Sequence, residues 1–482
     1  MNRKIVKYIL GQIMKIEAVF MIGPIIVELI YRESYKNFIA FLLPIFLLLS
    51  IGFILTYRNE NHGRFFAKEG LVIVALSWIV LSFFGALPFV ISGEIPSLVD
   101  AFFETVSGFT TTGASILTDV EAMSHSMLFW RSFTHLVGGM GVLVFALAVI
   151  PRTSNESALI MKAEVPGPTF GKILPKVRYS ARMLYIIYLA MTGIVVIFLL
   201  FGGMSLFDAL LHAFGAAGTG GFGIKNTSIG FYDSAYIDMV LAIAMLVFGV
   251  NFNIYYFALM GKTKEVFKSE ELKWYLIIVF GAVAIIFLNI MPSYDSSLTA
   301  LRDIFFTVSS IITTTGYSTA DFGQWPVLSH MILLMLMFIG GCAGSTAGGL
   351  KVSRIVILIK SSFKEIKSVV NPNRVEAIRM ENKPLDRDVS SGVLHYLSVY
   401  LLIFVTILII VSVQSTDFLS AFSAVTATFN NIGPGLGVVG PTSNYASLSN
   451  LNKIVLSFGM LAGRLEIFPI IILFAPSTWR KN

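Results

Sequence analysis

The sequence predicts an all-α polytopic membrane protein, built from four pseudo-symmetric helix–short helix–loop–helix repeats around one axis plus two extra N-terminal helices. Three observations predict it. The chain of 482 residues is 56% hydrophobic and 13% charged, with a mean hydropathy of +0.80. A soluble chain of this length would read as about three domains, whereas this composition calls for lipid in place of much of the buried core. Apolar runs of membrane-crossing length recur along it. Between them, a shorter apolar run followed by a glycine-centred polar loop recurs four times.

A crossing needs about 20 residues at a rise of 1.5 Å each. Runs of that kind lie at 5–30, 37–57, 69–92, 126–150, 181–203, 234–260, 272–292, 327–341 with a broken continuation to 361, 391–414 and 451–475. The basic start "MNRKIVKYIL" leads into an apolar run with no small-residue cleavage site, so a retained first helix is expected. One set of loops carries Arg58, Arg64 and Lys68; Lys162, Lys172, Lys176, Arg178 and Arg182; Lys262, Lys264 and Lys268; and a cluster from Lys360 to Arg387. The opposite loops, 93–125 and 303–350, hold no lysine or arginine. The positive-inside rule puts the basic loops and both termini in the cytoplasm, in keeping with ten crossings. It also explains the net charge of +7 without nucleic acid. The single cysteine, Cys342, allows no internal disulfide and has no partner for zinc.

The repeat emerges when the short runs are aligned on a glycine. "SLVDAFFETVSGFTTTGAS" aligns Gly113, "SLFDALLHAFGAAGTGGFG" Gly221, "ALRDIFFTVSSIITTTGYS" Gly316 and "DFLSAFSAVTATFNNIGPG" Gly433. Thirteen residues before the glycine stand Asp100, Asp208, Asp303 and Ser420. These are expected as N-caps of the short helices, where a side-chain oxygen accepts from orphan amides and negative charge suits the helix dipole. The units divide at 1–60 (N-terminal helix pair), 61–160, 161–262, 263–385 and 386–482.

About three turns cover only ~18 Å, half a bilayer. Each short helix therefore ends near mid-membrane with the negative end of its dipole on the axis, which attracts a cation. The returning backbone is tolerated there only if enclosed or lining a watery path. Glycine permits the positive φ that turns neighbouring carbonyls to one side. Four such loops would ring a cation with carbonyl dipoles in place of its hydration shell. The expected ligands are Thr111, Thr112 and Gly113; Thr219, Gly220 and Gly221; Thr314, Thr315 and Gly316; and Asn431, Ile432 and Gly433, with the Thr313–Thr315 hydroxyls contributing oxygen. The competing reading is that threonine and glycine merely pack membrane helices closely.

Here the pattern resembles the Trk/Ktr/HKT superfamily of potassium transport proteins, most closely its TrkH-type pore subunits, over the whole chain. The helix pair before repeat one is similar, as is "AEVPGPTFGKILPKVR", residues 163–178. So are the longer signatures "GGCAGSTAGGLKVSR", residues 340–354, and "GMLAGRLEIFP", residues 459–469. The resemblance implies potassium as the transported ion, no organic cofactor on this chain, and a homodimer with a pore in each protomer. It further implies a bacterial cytoplasmic (inner) membrane and a cytoplasmic TrkA-like ring of nucleotide-binding regulatory subunits. The basic segments 152–182 and 360–387 are its candidate docking surfaces.

Gly340, Gly341, Gly344, Gly348 and Gly349 fall within ten residues, together with Ser345 and Thr346. At roughly 1 kcal/mol each against alanine, they disfavour a continuous helix. By resemblance this unwound, flexible stretch is a gate beneath the filter; close helix packing is the alternative. Arg464 is a charge within a span and is expected to face the interior. The resemblance sets it under the filter near the gate, while an ion pair with Glu466 or snorkelling remains open. Arg131 and His135 share a helical face and suit bonding between repeats. Glu104 and His212 read as anchors of the short helices. "GLGVVG", Gly435 to Gly440, matches a dinucleotide fingerprint, but no βαβ unit surrounds it. Loops reading "GTGG" and "NNIG" against "TTTG" make the ring only pseudo-four-fold, which predicts modest discrimination against sodium. A proton- or sodium-coupled secondary transporter remains the alternative; its repeats would usually be inverted.

Overall fold

The computed structural model describes residues 1–57, 67–141, 177–372, 377–381, 383–415 and 417–480. It is almost wholly helical; the sole sheet among these residues is the antiparallel pair Arg379–Met380 and Lys383–Pro384. Residues 142–150 of the 126–150 run, most of the 152–182 loop, most of the motif at 163–178, and Arg58, Arg64 and Arg374 lie outside the described residues.

Ahead of the first repeat, Arg3–Phe20 and Ile22–Tyr31 form two helices rather than one span. Tyr35–Tyr57 turns back against the first of them, and Gly11 and Gly52 make the contact close, since a β-carbon on Gly11 would stand 2.9 Å from Gly52 O. Each unit then brings a long helix: Ala67–Ser92, Val177–Phe201, Glu270–Ile290 and Arg387–Ser412. Each is followed by a short one: Leu98–Phe109, Leu206–Gly218, Ser297–Ile312 and Phe418–Phe429. After the glycine loop a second helix follows: His125–Gly139, Ala235–Phe248, Val327–Ile339 and Asn450–Arg464.

These second helices depart from the predicted crossings. Five described helices are long and apolar enough to cross a bilayer, or six if the pair Ala235–Phe248 and Phe252–Leu259, bent by 90°, is one broken span. The sequence suggests a break only after Ile339. The structure also interrupts the second unit at Gly249 and the fourth at Glu466 and Ile467, whose φ values are 57° and 66°. In the first unit the helix stops at Gly139, and Gly141 has φ 77°.

Packing order is cyclic. The short helices of units two, three and four each lie against the second helix of the unit before, and the short helix of unit one lies against that of unit four. The order of units thus closes on itself, with the glycine loops toward the middle.

The caps differ from expectation. The N-caps are Ser97, Ser205, Ser296 and Asp417, each accepting a backbone amide three residues on. Asp100, Asp208 and Ser420 sit at the third helical position, and Asp303 nearly two turns in. A Ser-x-x-Asp spacing lets the serine take the cap while the aspartate keeps its favourable place in the first turn. Asp100 instead receives Lys453 Nζ at 2.6 Å, and Asp303 receives Arg302 Nε at 3.1 Å.

Candidate ion-coordination site

All four short helices end alike. The residue two before the aligned glycine is left-handed: Thr111 at φ 54°, Thr219 at 55°, Thr314 at 55° and Asn431 at 59°. Its amide reaches back three residues, as Thr111 N to Gly108 O at 3.1 Å. The next amide reaches back five, as Thr112 N to Ser107 O, Gly220 N to Gly215 O, Thr315 N to Ser310 O and Ile432 N to Ala427 O, all at 2.8–2.9 Å. This double bond pattern is the Schellman motif. Glycine normally fills its left-handed position; a β-branched threonine there is strained, and such strain gathers at functional sites. The aligned glycines follow, with φ from 70° to 98°.

The trans peptide sets a carbonyl opposite the amide it is bonded to. With the loop amides turned back to the helix ends, the carbonyls before them point away from those ends. That orients the carbonyls of Thr111, Thr219, Thr314 and Asn431; each loop continues with two more carbonyls, through 113, 221, 316 and 433. Among the described residues, the sole one that receives a hydrogen bond is Gly433 O, from Tyr445 Oη.

The glycines of the four loops meet around one centre. A β-carbon on Gly113 would stand 2.0 Å from Gly220 O, on Gly221 1.9 Å from Thr315 O, on Gly316 2.1 Å from Ile432 O, and on Gly433 2.7 Å from Thr112 O. Each loop therefore touches the next, and the fourth touches the first. A cavity of about 270 Å³ opens on one side, lined by all four glycines together with Arg131, Lys225 and Tyr445.

The threonine hydroxyls beside the ring bond one another and their neighbours. Thr110 Oγ1 and Thr112 Oγ1 bond each other at 2.7 Å, and Thr313 Oγ1 and Thr315 Oγ1 do so at 2.8 Å. Thr314 Oγ1 accepts from Gly348 N at 2.6 Å, whereas Thr111 Oγ1 is buried with no partner among the described residues. A hydroxyl can satisfy itself locally. A loop carbonyl aimed away from its helix cannot, so the carbonyls are the oxygens with least alternative.

The opposite side of the ring meets the glycine-rich segment. Gly349 N donates to Asn430 O at 3.2 Å. Cys342 N donates to Gly249 O at 2.9 Å, at the break of unit two, and Phe252 N returns a bond to Gly344 O at 3.1 Å. Glu271 Oε1 accepts from Ala343 N and Ser353 N. The segment is unwound as expected, with Gly340, Gly344 and Gly349 at positive φ, but it is tied down rather than loose. Ser345 donates from Oγ to Cys342 O at 2.6 Å, Thr346 Oγ1 donates to Phe248 O at 3.2 Å, and Gly341 O accepts from Val352 N at 3.0 Å. Arg464 donates to Thr346 O at 2.7 Å and to Gly138 O and Gly139 O at 2.7 and 2.8 Å, so it joins this segment to unit one. Glu466 pairs with Arg354, not Arg464.

Behind the ring, Arg131 Nε bonds Glu104 at 2.7 Å and its Nη1 bonds Gly223 O at 2.8 Å, joining units one and two. His135 Nδ1 meets Gly108 O at 2.8 Å while its Nε2 accepts from Phe222 N at 3.2 Å, which fixes the neutral tautomer. Glu104 also accepts from Ser115 Oγ and Ile116 N, and His212 Nε2 contacts Tyr232 Oη at 3.0 Å. Sequence reasoning misses Tyr445, Lys453, and Tyr400, which donates to Asn430 Oδ1 at 2.8 Å. No motif marks them, because each acts across more than 10 residues. Among the described residues no cluster of three or more His, Cys, Asp or Glu could hold a metal ion.

A family model described as "TrkH: Cation transport protein" matches residues 38–481. The chain belongs to the TrkH family. It is 38% identical, over the full length of both chains, to the Trk system potassium uptake protein TrkH of Salmonella typhimurium and to that of Escherichia coli K12. The crystal structure of the potassium transporter TrkH from Vibrio parahaemolyticus superposes with a TM-score of 0.90 at 34% identity, covering all of both chains. A TrkH-family chain is a multi-span membrane transport protein, not an enzyme. The family assignment agrees with the one drawn above from the glycine loops and the two long signatures.

Proposed function

We propose that this TrkH-family chain takes up potassium through a channel-like pore whose selectivity filter is the ring of four loops. One observation carries the reading: buried main-chain carbonyls meet from four chain segments, and among the described residues all but one lack a donor. An unpaired buried carbonyl costs free energy, so a closed ring of them calls for a cation. Oxygen ligands without carboxylates suit a weakly charged, readily dehydrated ion such as K⁺. The potassium transport named for the relatives agrees.

The glycine-rich segment, held against Thr314, Asn430 and Arg464, is the gate in this reading. Its position across the ring from the open cavity supports that role. Potassium is the cargo, and no organic cofactor is needed on this chain. We extend the proposal, on the resemblance alone, to a homodimer in a bacterial inner membrane, both termini cytoplasmic, regulated by a TrkA-like nucleotide-binding ring. The parallel cyclic order of the four units gives no support to an inverted-repeat, ion-coupled carrier.

Purified protein in liposomes tests this. Potassium influx down its own gradient, undiminished when the proton and sodium gradients are collapsed, is the expected result. Influx that stops with either gradient would replace the channel reading with a coupled one.

A further inference from the structure

Tyr445 occupies a place that no repeat position predicts. It lies in the irregular chain after the fourth loop, yet it holds two loops at once. Its hydroxyl donates to Gly433 O at 2.7 Å, and its amide donates to Ser115 O of the first unit at 2.8 Å. Its ring packs on Phe103 of the first short helix, centroids 5.5 Å apart, and the residue is 2% exposed. It also lines the cavity on which the four loop glycines open.

The consequence lies in what the hydroxyl does to one oxygen. Among the described residues, the carbonyls of Gly113, Gly221 and Gly316 receive no hydrogen bond, while the equivalent carbonyl of Gly433 does. A donated proton sets partial positive charge against the same oxygen that would face a cation. It also fixes that carbonyl's direction. The outermost ring of glycine carbonyls is therefore three free oxygens and one restrained.

We propose that Tyr445 is a positioning residue that sets the ion affinity and selectivity of the outer filter position by restraining the Gly433 carbonyl. The proposal rests on the reading of the loops as a potassium filter. Its chemistry is specific to the phenolic oxygen, because the ring contact with Phe103 and the amide bond to Ser115 O do not need it.

Tyr445→Phe removes only that oxygen. Freed of its donor, the Gly433 carbonyl, which has a second lone pair in either case, offers a cation its full partial negative charge. The half-saturating K⁺ concentration should fall about fivefold, the equivalent of one net hydrogen bond of about 1 kcal/mol. Maximal flux should change less than that, and the K⁺ over Na⁺ flux ratio should rise. Phe103→Leu serves as the control: it loosens the ring's packing and keeps the donor, so it should lower thermal stability and leave both ion parameters at wild-type values. Concentration-dependent K⁺ and Na⁺ influx into liposomes reads all three proteins. A Tyr445→Phe protein with wild-type half-saturation and ratio overturns the role of Tyr445, as does a Phe103→Leu protein that reproduces the shift. Wild-type protein that carries no K⁺ would instead overturn the filter reading beneath it.

Discussion

Two stretches of irregular backbone lie buried side by side in this molecule, and they handle their polar groups in opposite ways. In the four glycine loops the first two amides turn back to the helix ends, and among the described residues every loop carbonyl but Gly433 O is left without a donor. In the segment 340–349 both kinds of group find partners. Gly341 O takes Val352 N, Gly344 O takes Phe252 N, Thr346 O takes Arg464, and the amides of Cys342, Ala343, Gly348 and Gly349 all donate. Buried backbone that keeps acceptors free is shaped for a ligand. Buried backbone that pairs them with groups from every neighbouring unit is shaped to be held, and its partners are what must be exchanged for it to move.

The ring should break most severely at its glycines. Gly221 has φ 70°, and a β-carbon there would stand 1.9 Å from Thr315 O. Gly221→Ala combines that overlap with a left-handed conformation that costs roughly 1–2 kcal/mol for a side chain. Loss of K⁺ influx, by at least about a hundredfold on the scale of 1.4 kcal/mol per tenfold, is expected from a protein that still purifies as a folded species. Near-normal influx would mean that the loops do not enclose the ion.

The held segment should respond in the other direction. Shortening Gly340–Gly349 removes its bonds to Thr314 and Asn430, and basal K⁺ influx without regulatory partners should rise by about tenfold or more, as expected when about 1.4 kcal/mol of closure is lost. A folded deletion protein with unchanged influx would remove this segment from gating. Arg464→Ala is the milder version. It deletes three part-buried bonds from a charged donor, of which only the one to Thr346 O is to the segment itself, and leaves the segment its other anchors. A several-fold rise in basal influx is expected, with Arg464→Lys between alanine and wild type because an ammonium keeps some of the three bonds but reaches fewer carbonyls than the guanidinium.

How much of this was legible follows from which residues carry it. The repeats were readable because a loop at that depth needs positive φ, and glycine supplies it at Gly113, Gly221, Gly316 and Gly433. The residue two places earlier is left-handed as well, but it is threonine or asparagine, and threonine gives no sign of that conformation. The break after Ile339 was readable from five glycines. The break at Glu466 and Ile467 has only Pro469 behind it as a signal, and Leu-Glu-Ile otherwise reads as helix. Tyr445 was invisible because its partners, Gly433, Ser115 and Phe103, are joined to it only by the closure of the ring.

The smallest effect separates two residues that the sequence confuses. Aspartate thirteen residues before the glycine looks like the cap, yet Ser97 Oγ accepts the amide of Asp100 at 3.3 Å, and Asp100 holds Lys453 from the fourth unit. Ser97→Ala should cost about 1 kcal/mol, the ordinary worth of a cap, with K⁺ influx unchanged. Asp100→Asn should cost more. The Lys453 side chain is only 6% exposed, so losing its carboxylate leaves a buried ammonium without its ion-pair partner, which is worse than losing a hydrogen bond. Lys453→Met together with Asp100→Asn should recover part of the loss, because no unpaired charge remains. Thermal unfolding of the four proteins in one detergent gives the ranking. If Ser97→Ala proves the more damaging, the contact between units four and one is held by helix capping, and the Asp100–Lys453 pair contributes little to closing the ring.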